Sequence, residues 1–444
     1  MKIQNIGSST VIIETNKLKI LKDPWFVNGE YYGSWFHSSD INLDIDLLNS
    51  ATHIYVSHIH PDHFSRKSFD KLNKNIPVLI LDYESKFLKL NIERLGFKVV
   101  ELEHNKEFSL DSETKIKILA ADNCNPELCS KFMGCSNVEV KYKTTQIDSM
   151  CLIFNEDYSV LNLNDCPYDL GINTLDVILK DHKKIDLLLV GYAGAGPYPQ
   201  CFEMDEKEKI QAAKTKELQF LNFGIKFIEK VKPKYYMPFA GTYLLGGRLS
   251  QLNKYRGVPT LHEALEFFKK NIKVSSTGFL LNPYKYFDLK NGKSNSNYMP
   301  DSKKEIDKYL EKISKHKFDY EDDILPDDNS IINLISDSFK RFCLKKNEIN
   351  FNSNTQLIIQ ISDSKSVLID LTSNPSYKIV SNLNIDTIKR FVKISLDKRL
   401  LLRILKGSRF AHWNNAEIGS HIKFERKPNI FERGLYHSLC FFHS

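Results

Sequence analysis

The chain has 444 residues and a formal net charge of +7, and 42% of its residues are hydrophobic and 26% charged. This is globular composition, and the length suits two or three domains with sizeable cores. There is no run of about 18 apolar residues, and the sequence opens on a strand-like pattern in place of a secretory signal, so we expect a cytoplasmic protein without membrane insertion. Eight dispersed cysteines indicate reduced thiols. The positive charge is spread over lysine-rich helices and gives no reason to expect nucleic-acid binding.

Three short strands and an aromatic loop open the chain. Segments 2–7, 10–14 and 18–21 have strand-like apolar patterns with turns between them. The glycine-punctuated loop 29–37 follows and contains Trp35, which we predict to contact a substrate. Such a loop either lines a pocket that stacks a flat or sugar ring, or forms a packed aromatic cap.

The densest group of potential metal ligands lies in the segment 57–63. This segment follows the apolar run 52–56, which predicts a buried strand, so the ligands lie on the loop at the carboxyl end of that strand. The loop carries four side chains of the types that zinc, iron and manganese bind: His58, His60, Asp62 and His63. This density on a turn favours metal binding over a histidine-rich surface turn.

The His-x-His-x-Asp-His pattern, with its preceding strand and the opening hairpins, resembles the metallo-β-lactamase superfamily, in particular the branch that includes the ascorbate-phosphate lactonases. The resemblance implies an αββα sandwich. Strand patterns at 78–81, 98–102 and 116–120 alternate with helical patterns and predict the same layers, with sheets inside and helices outside. In the family an aspartate after the third strand supports the histidine loop, and Asp23 stands there.

The family resemblance also implies the remaining metal ligands, with two departures. Asp122 occupies the position where relatives have a metal-binding histidine, and Asp165 matches the aspartate that bridges two metals. A further histidine of the family is replaced by Phe239 and Ala240. The surviving ligands form two sets: His58, His60 and Asp122 for one metal, and Asp62, His63 and Asp165 for the other. We assign catalytic roles to Asp62 and Asp165.

The ligand types indicate which metals and reactions to expect. Two histidines and one carboxylate with open positions are the ligand set of non-haem Fe(II), so one or two divalent ions are expected, with iron or manganese favoured and zinc possible. An oxygenase is therefore the sharper hypothesis. The first alternative is a metallohydrolase that cleaves a phosphoester or lactone at a dinuclear centre. The second is a catalytically idle protein that binds metal and anions.

A second resemblance covers roughly residues 1–290. The segments 23–25, 57–65, 191–202 and 238–241 together resemble the metal domain of the CMP-N-acetylneuraminate hydroxylases. This implies hydroxylation of an anionic sugar or sugar nucleotide. Those hydroxylases carry a Rieske cluster, whereas in this sequence only Cys440 and His443 have either Rieske spacing, and one pair cannot hold a cluster. We therefore expect a separate electron donor, or a substrate that supplies its own electrons.

Two further segments are candidates for substrate contact. Gly194 lies in the glycine-rich stretch 191–196, whose backbone N–H groups either approach an anion or form an ordinary loop, and Tyr198 follows it. The run 412–421 either forms a turn or covers the mouth of the metal cleft, with Trp413 excluding water and His412 or His421 contacting substrate.

A polar segment at 290–297 predicts a linker between a metal-binding catalytic domain, 1–290, and a C-terminal α+β domain, 291–444. In the second domain we expect helices around 305–310, 331–335, 386–391 and 399–405, and a hairpin of 356–361 with 366–371.

Overall fold

Two mixed β-sheets form the centre of the first part of the protein. The structure is a computed structural model and describes residues 1–125, 127 and 147–444. The first sheet has eight strands in the order β17 Lys293–Ser294, β16 Tyr286–Asp288, β1 Lys2–Gly7, β2 Thr10–Glu14, β3 Lys19–Lys22, β5 His53–Tyr55, β6 Val78–Leu81 and β7 Val99–Leu102. The second has seven, in the order β15 Thr277–Gly278, β13 Tyr235–Pro238, β12 Leu187–Val190, β11 Ser159–Asn162, β10 Ser149–Phe154, β9 Lys115–Ala120 and β8 Glu107–Ser109.

The two sheets share one hydrophobic core, and helices cover their outer faces. Side chains of both sheets, such as Ile13 and Cys151, belong to the same buried cluster. Leu175 and Leu221, from two of the covering helices, form a second cluster on the outer face of the second sheet. The covering helices and turns are Glu30–Gly33, Ile45–Asn49, Arg66–Phe69, Phe87–Arg94, Tyr168–Asp181, Glu206–Val231, the 3₁₀ segment Gly247–Tyr255 and Leu261–Asn271. The layer order is αββα, as predicted.

The longest helix shows why such an element forms at the surface of the second sheet. Glu206–Val231 begins where the Asp205 carboxylate accepts the Lys207 amide, and Glu206 and Glu208 in its first turn complement the helix dipole. The helix ends at Lys232, which adopts a left-handed conformation with φ of 51°. Its buried residues recur at helical spacing and pack against the sheet.

A five-stranded sheet with helices around it forms the C-terminal unit. Its strands, in order, are β20 Ser376–Ser381, β19 Lys365–Asp370, β18 Gln356–Gln360, β21 Phe391–Ser395 and β22 Lys423–Lys427. Its helices are Asp328–Glu348, Lys398–Leu405, Trp413–Ile418 and Arg433–Leu439. The helix Lys303–Ser314 packs instead against Phe36 of the first part of the chain, through Tyr309 and Ile313. The fold class is therefore the predicted αββα sandwich with an additional α+β unit. In the part of the chain that the structure describes, no helix combines the length and apolar character needed to cross a bilayer.

Two segments differ from the sequence-based expectations. The helix expected around 386–391 is wrong: Ile385–Thr387 is a single 3₁₀ turn, and β21 begins at Phe391 because its alternating apolar residues pair in parallel with β18. The polar segment 290–297, expected to be a linker, forms the turn and second strand of the β16–β17 hairpin, so the first sheet extends to Ser294. The division into 1–290 and 291–444 stays a prediction.

The two parts of the chain share contacts in both directions. Phe202, which follows the glycine-rich stretch, lies in the C-terminal core and stacks on Phe424, with ring centroids 4.8 Å apart. In the reverse direction, the Ile418 carbonyl accepts a hydrogen bond from Trp35 Nε1 at 3.2 Å. A two-stranded ribbon of β4 Trp35–Phe36 and β14 Leu244–Leu245 lies at this boundary.

We predict that Phe202→Ala lowers the free energy of unfolding by about 3–5 kcal/mol, because it leaves a cavity where the two units meet. Phe410→Ala is the matched control: Phe410 is 56% exposed, and its truncation should change stability by no more than about 0.5 kcal/mol. Urea unfolding followed by circular dichroism measures both. Equal midpoints for the two variants would contradict the shared core.

Candidate metal centre

The histidine loop leaves the carboxyl end of β5. This strand pairs in parallel with β3 and β6, so the loop lies at the sheet edge where the chain emerges from all three strands. The His60 carbonyl accepts the amides of His63 at 2.9 Å and Phe64 at 2.7 Å, which closes the loop into a tight turn. The turn brings His58 and His63 close together.

Three side chains place possible ligand atoms close together. Atoms of His58, His63 and Asp165 all lie within 4.8 Å of one another, and this is the one such group in the described ranges. His63 Nε2 lies 3.3 Å from Asp165 Oδ1. Asp165 follows β11 of the second sheet, so the two sheets contribute ligands from facing edges. Two imidazoles and a carboxylate suit zinc, iron or manganese, so these residues fit a divalent metal.

The orientation of His63 is set by Asp23. Asp23 Oδ2 lies 3.1 Å from His63 Nδ1, and Asp23 Oδ1 accepts the Ser57 amide at 2.7 Å. A carboxylate at Nδ1 holds the ring proton there and leaves Nε2 free to bind a metal. The predicted supporting role of Asp23 is confirmed.

The orientation of His60 is set by a residue far away in the sequence. His60 Nε2 donates to the amide oxygen of Asn414 at 3.0 Å, which leaves Nδ1 facing His58 Nε2 at 2.9 Å. Asn414 lies in the helix Trp413–Ile418 of the C-terminal unit. The sequence did not predict a role for Asn414, although this residue falls inside the polar run 412–421. A local sequence pattern gives no sign of a contact across 354 residues.

Asp62 lies between the metal group and the aromatic loop. Its Oδ2 atom is 3.6 Å from His63 Nε2, and its Oδ1 atom accepts a hydrogen bond from Tyr31 Oη at 2.5 Å. Tyr31 and Tyr32 have left-handed backbone conformations, with φ of 50° and 60°, which non-glycine residues rarely adopt. The loop accepts this conformation and thereby brings the Tyr31 hydroxyl to Asp62.

Opposite charges dominate the electrostatics of this centre. Burial acts to lower the pKa of His63, but the carboxylates of Asp165, Asp23 and Asp62 outweigh it and raise that pKa well above its usual value. Burial acts to raise the pKa of Asp165, and the neighbouring His63 reverses this and lowers it. Because a metal must displace the His63 proton, metal uptake is favoured as the pH rises.

Asp148 is a carboxylate of this centre that the sequence analysis missed. Its Oδ1 atom lies 3.8 Å from His58 Nε2, and burial, followed by the nearby charge of Asp165, raises its pKa to about 8. The ligands predicted from the sequence follow the ends of strands, whereas Asp148 precedes β10. Since β10 is antiparallel to both β9 and β11, its beginning lies at the same edge as their ends. The antiparallel order was the signal that could have identified it.

Asp122, expected as a ligand, is buried at this same edge. Its Oδ1 atom accepts the Cys124 amide at 3.0 Å, and its charge contributes to the raised pKa of Asp148. It is not one of the three residues whose ligand atoms lie within 4.8 Å. Its assignment as a ligand stays a prediction.

A small cleft adjoins the acidic side of the centre. Its lining comprises Ser8, Trp35, Asp62, Asp165, Ala193, Ala195, Ala240, Gly241, Thr242 and Tyr243. Trp35 stacks on Tyr243 with ring centroids 3.6 Å apart and nearly parallel planes. Ala240, with φ of 52°, lines the wall at the position where the family has a histidine.

The other predicted substrate residues occupy different surroundings. Gly194 lies between two lining residues, and a Cβ there would overlap the Phe220 ring at 2.0 Å, so close packing requires glycine. Tyr198 packs edge-on against Phe202. The contacts of these two residues are with the protein itself, and their roles in substrate binding stay predictions.

The run 412–421 lies against the histidine loop. The His412 amide donates to Tyr32 Oη at 2.7 Å, and His421 Nε2 lies 2.7 Å from the Tyr31 carbonyl. Trp413 is 1% exposed and donates from Nε1 to the Phe442 carbonyl at 2.7 Å, so it packs in the C-terminal core. The contact with the histidine loop is made by Asn414 to His60, which is not among the three residues whose ligand atoms lie within 4.8 Å. Substrate contact by His412 and Trp413 stays a prediction.

Curated proteins similar to this chain include iron–sulfur proteins and hydroxylases. A protein of Mycolicibacterium smegmatis, described as a Rieske 2Fe–2S iron–sulfur protein, is 30% identical over 269 residues, which are 58% of this chain and 47% of that protein. Cytidine monophosphate-N-acetylneuraminic acid hydroxylase of Asterias rubens is 23% identical over 256 residues, which are 55% of this chain and 35% of the hydroxylase. The chain thus spans less than half the length of these relatives. No family model matches it.

Solved structures with a partial likeness include both hydrolases and a hydroxylase. An isothiocyanate hydrolase from Delia radicum gut bacteria has a TM-score of 0.45 at 12% sequence identity. The match covers 65% of this chain and 99% of the hydrolase. The diiron β-hydroxylase CmlA from Streptomyces venezuelae has a TM-score of 0.39 at 14% sequence identity. The match covers 64% of this chain and 53% of CmlA. At such low scores the likeness carries no argument, and the fold class rests on the layers described above.

We predict that Asn414→Ala weakens metal binding by about 10–100-fold, because His60, which lies against the ligand candidate His58, loses the acceptor that fixes which of its ring nitrogens carries the proton. Asn414→Asp keeps an oxygen acceptor at the same place and should retain metal. Competition with a chelator of known affinity measures both variants. Wild-type affinity in Asn414→Ala would show that the C-terminal unit does not position His60.

Proposed function

We propose that this chain is a metal-dependent enzyme, a non-haem iron oxygenase that hydroxylates an anionic sugar or sugar nucleotide. The observation that supports this most is the wealth of carboxylates around few histidines: Asp62, Asp148 and Asp165 surround His58 and His63. Hydrolytic zinc centres are often richer in imidazole, whereas two histidines and a carboxylate with open positions suit iron that binds oxygen and substrate together.

The residues of the chain have separate tasks in this proposal. His58, His63 and Asp165 would hold the metal, which supplies one-electron and oxygen chemistry when bound. Asp23 keeps the proton on Nδ1 of His63, and Tyr31 donates to Asp62 so that this carboxylate keeps one orientation. The stacked rings of Trp35 and Tyr243 form an apolar wall beside Asp62 and exclude water from that side of the cleft.

The reaction needs electrons from outside the described centre. Two kinds of relatives support an iron–sulfur donor, since one is described as a Rieske protein and another as a hydroxylase. The Cys440 thiol is part-buried and donates to the Tyr436 carbonyl at 3.5 Å, which is a helix contact and not a cluster site. We therefore propose a Rieske-type electron donor outside these 444 residues as the partner.

A metallohydrolase is the second candidate function. The observation that favours it is the position of His63 Nε2, which lies between Asp165 at 3.3 Å and Asp62 at 3.6 Å. A carboxylate on each side of this imidazole is compatible with two adjacent metals that activate a water molecule. Such a centre would cleave a phosphoester or a lactone.

Metal analysis and oxygen uptake decide between these functions. We expect protein purified without added metal to contain iron or manganese, at up to two ions per chain, and to consume oxygen when substrate and an electron donor are present. His58→Ala, His60→Ala and Asp122→Ala should lose the metal. The control His53→Ala should keep it, because His53 precedes the loop and contacts Thr52 Oγ1. Stoichiometric zinc with full hydrolytic activity and no oxygen uptake would contradict the oxygenase.

The substrate class has its own test. We expect sugar nucleotides to raise the melting temperature of the metal-loaded protein in a thermal-shift screen, because a ligand that binds only the folded state stabilises it by mass action. The neutral sugars that correspond to them serve as controls. Stabilisation by lipids or thioesters alone would contradict the sugar-nucleotide assignment while leaving the metal result intact.

A further inference from the structure

A second small pocket adjoins the cleft beside the metal centre. Three residues, Ser8, Ala240 and Thr242, line both the cleft and this pocket. We call these three residues the neck. The neck joins the turn between β1 and β2 to the segment that follows β13, so it lies where the facing edges of the two sheets meet.

Hydrogen bonds hold the neck together and place it beside the metal centre. The Ser8 hydroxyl donates to the Thr242 carbonyl at 2.9 Å, and the Ala240 amide donates to the Ser8 carbonyl at 3.4 Å. The next residue along the chain, Ser9, donates from its hydroxyl to the Asp62 carbonyl. The neck is therefore one residue away from a direct contact with the histidine loop.

The pocket beyond the neck is apolar. Apart from the neck, its lining consists of Asn5 and six apolar side chains, and none of these residues is charged. Four of the six apolar side chains are at most 5% exposed. The six are Met237, Pro238, Phe239, Leu261, Leu280 and Leu281.

The polar groups of the lining are already used by the protein. Asn5 Nδ2 donates to the Leu281 carbonyl at 2.8 Å, and the Thr242 hydroxyl contacts Tyr192 Oη. Among the residues that the structure describes, no side chain of this lining has a buried nitrogen or oxygen atom that lacks a hydrogen-bond partner. Because a site for a polar ligand needs polar groups that are still available, this lining favours an apolar ligand.

The small size of the pocket restricts which apolar ligand fits. A sugar or a nucleotide carries many polar groups, which would lose their hydration in this pocket without gaining hydrogen bonds. Small apolar molecules do enter apolar cavities of folded proteins, as xenon does. Dioxygen is a small apolar molecule of the same kind.

We propose that this pocket binds dioxygen and that the neck connects it to the metal centre. Because the three side chains of the neck are small, dioxygen passes from the pocket into the cleft, whose lining includes Asp62 and Asp165. The pocket thus holds one substrate close to the metal while the organic substrate occupies the cleft. The inference rests on the proposed function, since only an oxygenase uses the dioxygen that is held there.

Methyl nuclear magnetic resonance under dioxygen pressure tests the pocket. Dioxygen is paramagnetic and speeds the relaxation of methyl protons close to it. The full chain is labelled at methionine and leucine methyl groups and loaded with zinc, which has no redox chemistry and is diamagnetic. We expect the relaxation of the Met237, Leu280 and Leu281 methyls to be enhanced several-fold more than that of matched controls. The controls are Leu72 and Leu102, which are 3% and 4% exposed and lie outside the lining.

A variant that fills the neck should remove the enhancement. Ala240 already has a left-handed backbone, with φ of 52°, and leucine is not β-branched, so Ala240→Leu adds little backbone strain. We expect the enhancement at the pocket methyls to fall to the level of the controls, because the added side chain occupies the neck and the space behind it. Ala195→Leu is the matched control: Ala195 lines the cleft but not the pocket, so the enhancement should be unchanged.

Several results would overturn the inference. One is a wild type whose pocket methyls relax no faster than those of Leu72 and Leu102, and this result does not depend on whether any variant folds. Another is undiminished enhancement in folded Ala240→Leu. A third is a change in the resonances of the pocket methyls with dissolved n-butane but no response to dioxygen, which would assign the pocket to a hydrocarbon part of the organic substrate.

The relaxation measurement involves neither iron nor turnover, which keeps its outcome distinct from that of the proposed function. If the pocket methyls respond to dioxygen but the iron-loaded protein takes up no oxygen with substrate and electron donor, the oxygenase is contradicted and the dioxygen-binding pocket is not. If oxygen uptake is observed and the pocket methyls do not respond, the proposed function stands and this inference fails.

Discussion

The placement of His63 between two carboxylates is the contact on which the rest of the centre depends. His63 is completely buried, with Asp23 3.1 Å from one ring nitrogen and Asp165 3.3 Å from the other. The buried imidazole and the buried Asp23 carboxylate would each be costly alone, and together they compensate one another, while Asp165 adds its charge from a more exposed position. Because Asp23 comes from the first sheet and Asp165 from the second, this contact also fixes how the two sheet edges face each other.

The C-terminal unit takes part in this arrangement. Asn414 contacts His60, the Ile418 carbonyl accepts from Trp35, and Phe202 enters the C-terminal core. Each contact joins the first part of the chain to the C-terminal unit. Tight packing at this boundary therefore holds the histidine loop and the aromatic loop against the C-terminal unit.

The sequence by itself determined the elements that depend on local pattern. The opening strands, the histidine loop at a strand end and the layer order followed from alternation, helical spacing and the density of ligand types, and Asp23 and Asp165 followed from a family resemblance. The pattern failed for 386–391, because the same apolar residues suit a helix or a strand and only pairing with β18 decides between them.

Tertiary structure alone decided which distant residues meet. Asp148 joins the centre because β10 runs antiparallel to its neighbours, and Asn414 reaches His60 across 354 residues. The stacking of Trp35 on Tyr243 likewise joins residues that lie far apart in the sequence. Sequence periodicity indicates which face of a helix or strand is buried, but not which other element packs against that face. The contact forms only after folding has brought the two surfaces together.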